Sequence, residues 1–335
     1  PLELNFCPNC CNCQLSFTVP ATQMFDDYLY VSSTNQTFRD HFSNMADRFI
    51  QEFDLNQESF VLDIGSNDGV FLSPLKENGI KILGIDPAEN LVNLANSNGL
   101  ETLHGYFDDK ITDEIIASKG RADIVTAFNV FAHADDLKSI AKNAFKVLKN
   151  SGIFILEVQY LLDTIKDLTF DNIYHEHVNY WSVNTLQFFF DSLDLQLVKV
   201  EHINTHGGSI RAFISAKKEA ETDVSVEDFI AREKQFGLNN FATLKQFASS
   251  VSDLKNTTNN KIKELKSQGK SIVGYGSPAK ATTVLNYYGV NNESIDYIIE
   301  DNELKHNRFL PGMKIPIMSK TDAIKNPPDY ILVLA

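Results

Sequence analysis

The sequence predicts an α/β protein made of two doubly wound units with a helical stretch between them. Three observations carry that expectation. From Ser59 onward, short apolar runs alternate with amphipathic segments of helical spacing, the pattern of a parallel sheet with crossover helices. Two of the runs end in glycine turns, "VLDIGSNDGVF" at 61–71 and "VGYGSPAKAT" at 273–282. Between Val226 and Ser267 the apolar residues Phe241, Leu244, Phe247, Val251, Ile262 and Leu265 recur only at helical intervals, which predicts one or two long connecting helices.

The chain has 335 residues, 43% of them hydrophobic, enough for two ordinary cores. Its formal net charge of -14, from 44 acidic against 30 basic residues, repels phosphate polymers and anionic lipid, so neither nucleic acid nor membrane is an expected partner. No run approaches the roughly 18 apolar residues of a membrane helix, and "PLELNFCPNC" lacks a signal-peptide pattern. A soluble, cytoplasmic protein is expected. The start without Met and the strand-like ending "DYILVLA" suggest truncation at both ends.

Taken in order, the first element is a cysteine cluster: Cys7, Cys10, Cys11 and Cys13. C-x2-C brings two thiolates to one ion on a tight turn, so Cys7 and Cys10 are candidate zinc ligands. A pair from before Pro1 would complete a zinc ribbon, of which residues 1–25 are the remnant; alternatively Cys11 and Cys13 join in, or the thiols are reduced and carry no metal.

In the first unit, "SFVLDIG", "IKILGIDP", "ADIVTAFNVF" and "SGIFILEV" read as strands, with "FLSPLKENG", "LVNLANSNG" and "LKSIAKNAFKVLKN" as helices between them. Asp63 closes a strand, Gly65 lies in the turn and Gly69 starts the next helix, a spacing that departs from G-x-G-x-x-G. Asp86 ends the following strand, where a carboxylate can accept both hydroxyls of a ribose. This pairing resembles motif one and the acidic loop of class I S-adenosylmethionine-dependent methyltransferases. The resemblance implies that Asp63, Gly65, Ser66, Asn67 and Gly69 cradle the amino-acid part of S-adenosylmethionine and that Asp86 holds its ribose. It also puts Phe107, in "GYF", beside the adenine, and Asn129, in "FNVFAH", at the end of the fourth strand. The alternative is an ordinary tight turn with a solvated Asp86.

The second turn matches G-x-G-x-x-A, with Gly276 in the turn, Ser277 as N-cap and Pro278 at the first helical position. That helix end, with Lys280, would attract a phosphate; a packing turn explains the same residues.

"NIYHEHVNYW" at 172–181 is open to three readings: a metal site, an acid/base cluster or a polar loop. On a strand His175 and His177 would share a face with Glu176 turned away, and the order H-E-H does not fit a two-histidine, one-carboxylate iron site. An imidazole titrates near neutral pH and suits proton removal.

Tyr174-x-Glu176-His177-x-x-Tyr180, followed by "HGGSIR" at 206–211, looks like the nucleotide-sugar C-methyltransferases. That family has an N-terminal zinc domain, a central methyltransferase domain and a C-terminal Rossmann-like domain opening on a "GYGAPAK"-type turn. The resemblance covers almost the whole chain, "DDYLYVSSTNQTFRDHF" at 26–42 included. The chain departs from the family in lacking the first cysteine pair and the region after Ala335. The implied division is a zinc-binding segment at 1–25, a methyltransferase domain at 26–220, a helical connector at 221–268 and a Rossmann-like domain at 269–335. The implied activity is C-methylation, at C3, of a nucleotide-linked 4-keto-6-deoxy sugar. His177 would abstract the C3 proton, Tyr174 and Glu176 would position it, and His133 and Tyr28 would meet the ketone or its enolate. Gly207, Gly208 and Ser209 would bring backbone donors to the substrate and Arg211 would meet a phosphate. His133 as a helix cap, Tyr28 in a core, and a hairpin turn with an outward arginine remain open beside these roles.

A monomer or weak homo-oligomer is expected. Competing functions are a nucleotide-sugar or NAD-binding oxidoreductase, against which counts the lack of a recognisable dehydrogenase Tyr-x-x-x-Lys pair, an O- or N-methyltransferase, and a zinc-ribbon adaptor without catalysis.

Overall fold

The computed structural model describes residues 2–34, 36–205, 207–216 and 221–334. Two compact units result. Glu3–Leu161 with Val178–Asn239 form the first, and Leu162–His177 with Asn240–Ala335 the second. The stretch expected to be one connector therefore divides. Helix Val224–Phe236 belongs to the first unit and helix Phe241–Ser267 to the second. Gly237, at φ +80, ends the former in the left-handed conformation that a glycine adopts without a Cβ penalty.

The first unit holds β1 (Leu4–Phe6), β2 (Cys13–Leu15), β3 (Phe60–Ile64), β4 (Lys81–Asp86), β5 (Thr102–His104), β6 (Ala122–Phe128), β7 (Leu148–Gln159), β8 (Asn179–Tyr180), β9 (Gln196–Ile203) and β10 (Ser209–Ser215). Seven of these make one sheet in the order β5-β4-β3-β6-β7-β10-β9. The first five are parallel, and β10 runs antiparallel to both its neighbours. This is the class I methyltransferase fold. β1, β2 and β8 form a small antiparallel sheet.

The sheet is covered on one side because helix Gln36–Glu52 places Phe38, Phe42, Met45 and Phe49 on one stripe. These meet Val61, Phe71, Ile124, Phe128, Ile155 and Phe213 in the main core. A second aromatic group, Phe131, Phe154, Trp181 and Phe190, fixes the loop that follows β6. The tight Ser182 capping box starts helix Val183–Asp191 beside it.

The second unit carries β11 (Ile272–Tyr275), β12 (Ile298–Glu300), β13 (Ile317–Ser319) and β14 (Tyr330–Val333), all parallel, in the order β13-β12-β11-β14. Val273, Ile299 and Ala323 centre its core. Among the described residues no helix is long and apolar enough to cross a membrane.

Candidate active site

In an open α/β sheet the ligand crevice lies at the carboxyl ends of the strands. Asp63, near the end of β3, is only 4% exposed, and its Oδ1 accepts from the Thr126 hydroxyl on β6 at 2.6 Å. Burial pushes its carboxyl up to about 7, against the pull of that hydrogen bond and with a further push from Asp86. Gly65 is required twice over: its φ is +65°, and a Cβ would lie 2.3 Å from Val130 Cγ2. Asn67 follows at φ +54, a conformation that asparagine tolerates.

Asp86 ties two turns together. Its Oδ2 accepts the Asn67 N–H at 2.8 Å and its Oδ1 the Ala88 N–H at 2.9 Å, so the turn after β3 is clamped to the turn after β4. Burial raises this carboxyl while the two N–H bonds oppose the rise. Each oxygen retains a second lone pair, which is what two ribose hydroxyls require.

S-adenosylmethionine would present an ammonium and hydroxyls to this mouth, and the residues fit that demand. Asp68 Oδ1 and Asn129 Oδ1 are buried acceptors with no hydrogen-bond partner. Asn129 stands at φ +57 directly after β6, and Phe107 is buried beyond β5. Two expected ligands are placed otherwise. Ser66 turns its hydroxyl toward β4, where a Cβ on Gly84 would come within 2.4 Å of it. The Asn67 side chain faces residues 30–32, accepting from Ser32 N–H and donating to the Tyr30 carbonyl, both at 3.0 Å.

His133 follows the β6 loop and donates its backbone N–H to Val130. Its ring stacks on Phe25 with centroids 5.9 Å apart and planes 3° apart, and Phe25 in turn meets Tyr28 edge-on at 5.7 Å. The structure therefore brings His133 and Tyr28 against the same phenyl ring, and Tyr28 is half-buried rather than core.

The 207–211 segment corrects an expectation. Gly207 and Gly208 are in the left-handed region, but Gly208 directs its N–H to Thr205 and its carbonyl to Tyr160, while the fully buried Ser209 donates to Thr205. His206 lies outside the described residues. Arg211 faces no phosphate: it is 3% exposed, because β10 is an inner strand whose register sets it opposite Glu157 on β7 and Glu201 on β9. Its Nε donates to Glu157 Oε1 at 2.7 Å and its terminal nitrogens reach both carboxylates. Burial alone would raise Glu157, but His41 and Arg211 beside it bring it below the usual carboxylate range.

Zinc is not supported. Among the described residues no group of three or more His, Cys, Asp or Glu could hold a metal, and all four cysteines are free. Cys13 is withdrawn into β2, where burial pushes its thiol up to about 12, so it does not suit the role of a further ligand beside Cys7 and Cys10.

In the second unit residues 174–177 form a turn rather than a strand, so His175 and His177 do not share a face. His175 is exposed and His177 is 3% exposed. The His177 backbone N–H donates to the Tyr174 carbonyl at 3.0 Å, and the two rings lie 4.3 Å apart. Nδ1 of His177 sits 2.7 Å from the Asn172 carbonyl. Glu176 stands between them in sequence, half-buried.

The Gly276 turn has φ +88 and closes on itself: Ser277 donates its N–H and its hydroxyl to Glu300 at the end of β12, and Lys305 donates to the Ser277 carbonyl. Burial lowers Lys280, against the opposing charge of Asp171. Two residues escaped sequence reasoning. Asn172 acts through its carbonyl and Asn90 through contacts 62 positions away, and neither leaves a local sequence signal.

Residues 204–335 match the C-methyltransferase C-terminal domain family, and residues 37–200 match a methyltransferase domain family. C-methyltransferase NovU of Streptomyces niveus is 31% identical over 336 residues, covering 100% of this chain and 80% of that protein. The ubiquinone biosynthesis O-methyltransferase of Hydrogenovibrio crunogenus is 29% identical over 111 residues, 31% of this chain and 44% of that protein. Among solved structures, a SAM dependent methyltransferase from Archaeoglobus fulgidus superposes with a TM-score of 0.42 at 19% identity, over 52% of this chain and 94% of its own. A relative aligned along the entire chain and a C-terminal match to the domain of the same description make this protein an enzyme of the C-methyltransferase family.

Proposed function

We propose that the chain is an S-adenosylmethionine-dependent methyltransferase acting on C3 of a nucleotide-linked 4-keto-6-deoxy sugar, with His177 as the base. The observation that carries this reading is the His177 Nδ1 to Asn172 carbonyl hydrogen bond at 2.7 Å. A carbonyl only accepts, so Nδ1 bears the proton and the neutral ring keeps its lone pair on Nε2. Carbon is not nucleophilic until a proton leaves it, and a ketone beside the C–H makes that loss feasible by delocalising the charge onto oxygen. Nε2 takes the C3 proton, and Tyr28 and His133 meet the oxygen on which charge develops. S-adenosylmethionine, when bound, supplies the electrophilic methyl: the new C–C bond forms as the S–C bond breaks and the electron pair leaves with sulfur. Tyr174 and Glu176 hold the ring of His177. Lys280, at the start of the helix after the Gly276 turn, supplies charge for the nucleotide part.

The test offers the purified enzyme a panel of nucleoside-diphosphate 4-keto-6-deoxy sugars and follows methyl transfer and C3–H exchange in deuterated water. His177→Asn should lose about 10²- to 10⁴-fold in turnover and lose exchange while still binding both ligands. Exchange at the wild-type rate in that variant would remove His177 as the base. An O- or N-methyltransferase would show neither the exchange nor the dependence.

A further inference from the structure

Residues 26–33 run across the carboxyl ends of β3, β4 and β5, where the cofactor is expected, and they are held there in an unusual way. Leu29 is 70% and Tyr30 46% exposed, so burial does little to fix the segment. Side-chain hydrogen bonds fix it instead. Asn90, on the helix after β4, brackets Tyr28: its Oδ1 accepts the Tyr28 N–H at 3.3 Å and its Nδ2 donates to the Tyr28 carbonyl at 2.9 Å. Asn67, in the glycine turn, accepts from Ser32 N–H and donates to the Tyr30 carbonyl. Tyr106, after β5, donates to Asp26 at 2.9 Å, and Asp68 accepts the Ser33 N–H at 3.3 Å.

We propose that Asn67 and Asn90 are positioning residues that hold residues 26–33 as a strap over bound S-adenosylmethionine and thereby set the place of Tyr28. The inference rests on the cofactor and Tyr28 assignments above. A segment fastened by a few polar bonds and little buried surface opens more readily than the sheet beneath it, so it can admit and retain a ligand. The two states are linked through Asp86, which accepts the Asn67 N–H. A ligand hydroxyl on that carboxylate fixes the turn, the turn fixes the Asn67 side chain, and the side chain fixes the strap. Asn67 thus serves the cofactor indirectly, and the Asn90 bracket acts on the same strap at Tyr28.

The experiment measures S-adenosylhomocysteine dissociation and backbone hydrogen exchange in the full chain. Wild type should bind the ligand and show slowed exchange at Tyr28, Ser32 and Ser33 when it is bound. Asn90→Ala, and Asn67→Gly, which keeps the positive φ, should each release the ligand about tenfold faster and lose that protection. With the methyl acceptor, Asn90→Ala should lower kcat more than it raises the KM of the sugar, because Tyr28 is misplaced at the reacting oxygen. Asn90→Asp, which keeps the acceptor for Tyr28 N–H, should recover part of both effects. Wild-type binding with no change in exchange over 26–33, and variants that release ligand at the wild-type rate, would overturn the strap and leave the cofactor assignment standing. Failure of wild type to bind S-adenosylhomocysteine would overturn the cofactor assignment itself, and the strap with it.

Discussion

The Thr126 hydroxyl donates to the Asp63 carboxylate at 2.6 Å between neighbouring strands, at a place where the carboxyl is almost wholly enclosed. Burial raises Asp63 to about 7, whereas the unfolded chain loses this proton near 3.9. Below about pH 4 both states hold the proton and the stabilising difference is fully present. Between about 4 and 7 the folded state binds more protons than the unfolded, so stability falls as pH rises, and above about 7 the loss is complete. Asp63→Asn, which can still accept from Thr126, should match wild type near pH 4 and exceed it at pH 8 by on the order of 2–4 kcal/mol. Thermal unfolding of both proteins across that range checks it; parallel curves would mean Asp63 ionises freely.

Asp86→Ala removes the clamp between two turns together with the proposed acceptor for the two ribose hydroxyls. Affinity for S-adenosylmethionine should fall about ten- to a hundredfold, from unpaired polar groups costing roughly 1–3 kcal/mol. Calorimetric titration of a variant with an unchanged circular dichroism spectrum is the measurement. Unchanged affinity would sink the ribose assignment.

Arg211→Ala should act on stability rather than on substrate binding. It leaves Glu157 buried with one cationic neighbour fewer, and breaking such a pair costs about 3–5 kcal/mol. Urea unfolding should show the loss, with the KM for the proposed sugar substrate within about twofold of wild type wherever the variant remains folded. A large rise in KM at intact stability would restore the phosphate role.

The two histidines of "YHEH" should behave oppositely. His175 is exposed, so His175→Ala should change turnover by less than about twofold. Glu176→Gln should fall between wild type and His177→Asn if Glu176 is the orienting group and His177 the base, as proposed. Equal losses at 175 and 177 would show that the turn acts as a whole and not through one buried imidazole.

Gly65→Ala combines a left-handed φ with a Cβ 2.3 Å from Val130. Strain of about 1–3 kcal/mol is expected, together with weakened cofactor binding. Val130→Ala should recover part of the steric loss and none of the backbone strain, a difference that a double-mutant comparison of thermal midpoints can read.

The sheet was legible because β3, β4, β6 and β7 are apolar, short and followed by helices, and periodicity is a local property. The glycine turns were legible for the same reason. The role of Arg211 was not: "SIRAF" fits a strand beside a turn, but only the register against β7 and β9 shows that both faces are covered and that two glutamates await it. Whether the two histidines share a face could not be read from the sequence, since alternation holds only on a strand and residues 174–177 are a turn closed by the Tyr174 carbonyl. The cysteines had a metal-like spacing, yet pairing of Cys13 with Tyr180 across β2 and β8 decides where its thiol lies. Asn90 and Tyr28 are 62 positions apart, beyond any pattern a short window can hold.

The second unit takes Leu162–His177 from within the sequence of the first, and there Phe170 stacks on Tyr288 with ring centroids 5.6 Å apart. During synthesis this has a cost in time. The ribosome delivers Phe170 118 residues before its aromatic partner Tyr288, and at about 5–20 residues per second the segment waits roughly 6–24 seconds with an unburied ring. Closing so long a loop is slow compared with local helix formation. The loop bearing His177 should therefore be among the last parts of the newborn chain to settle, and the stage at which a chaperone has most to shield.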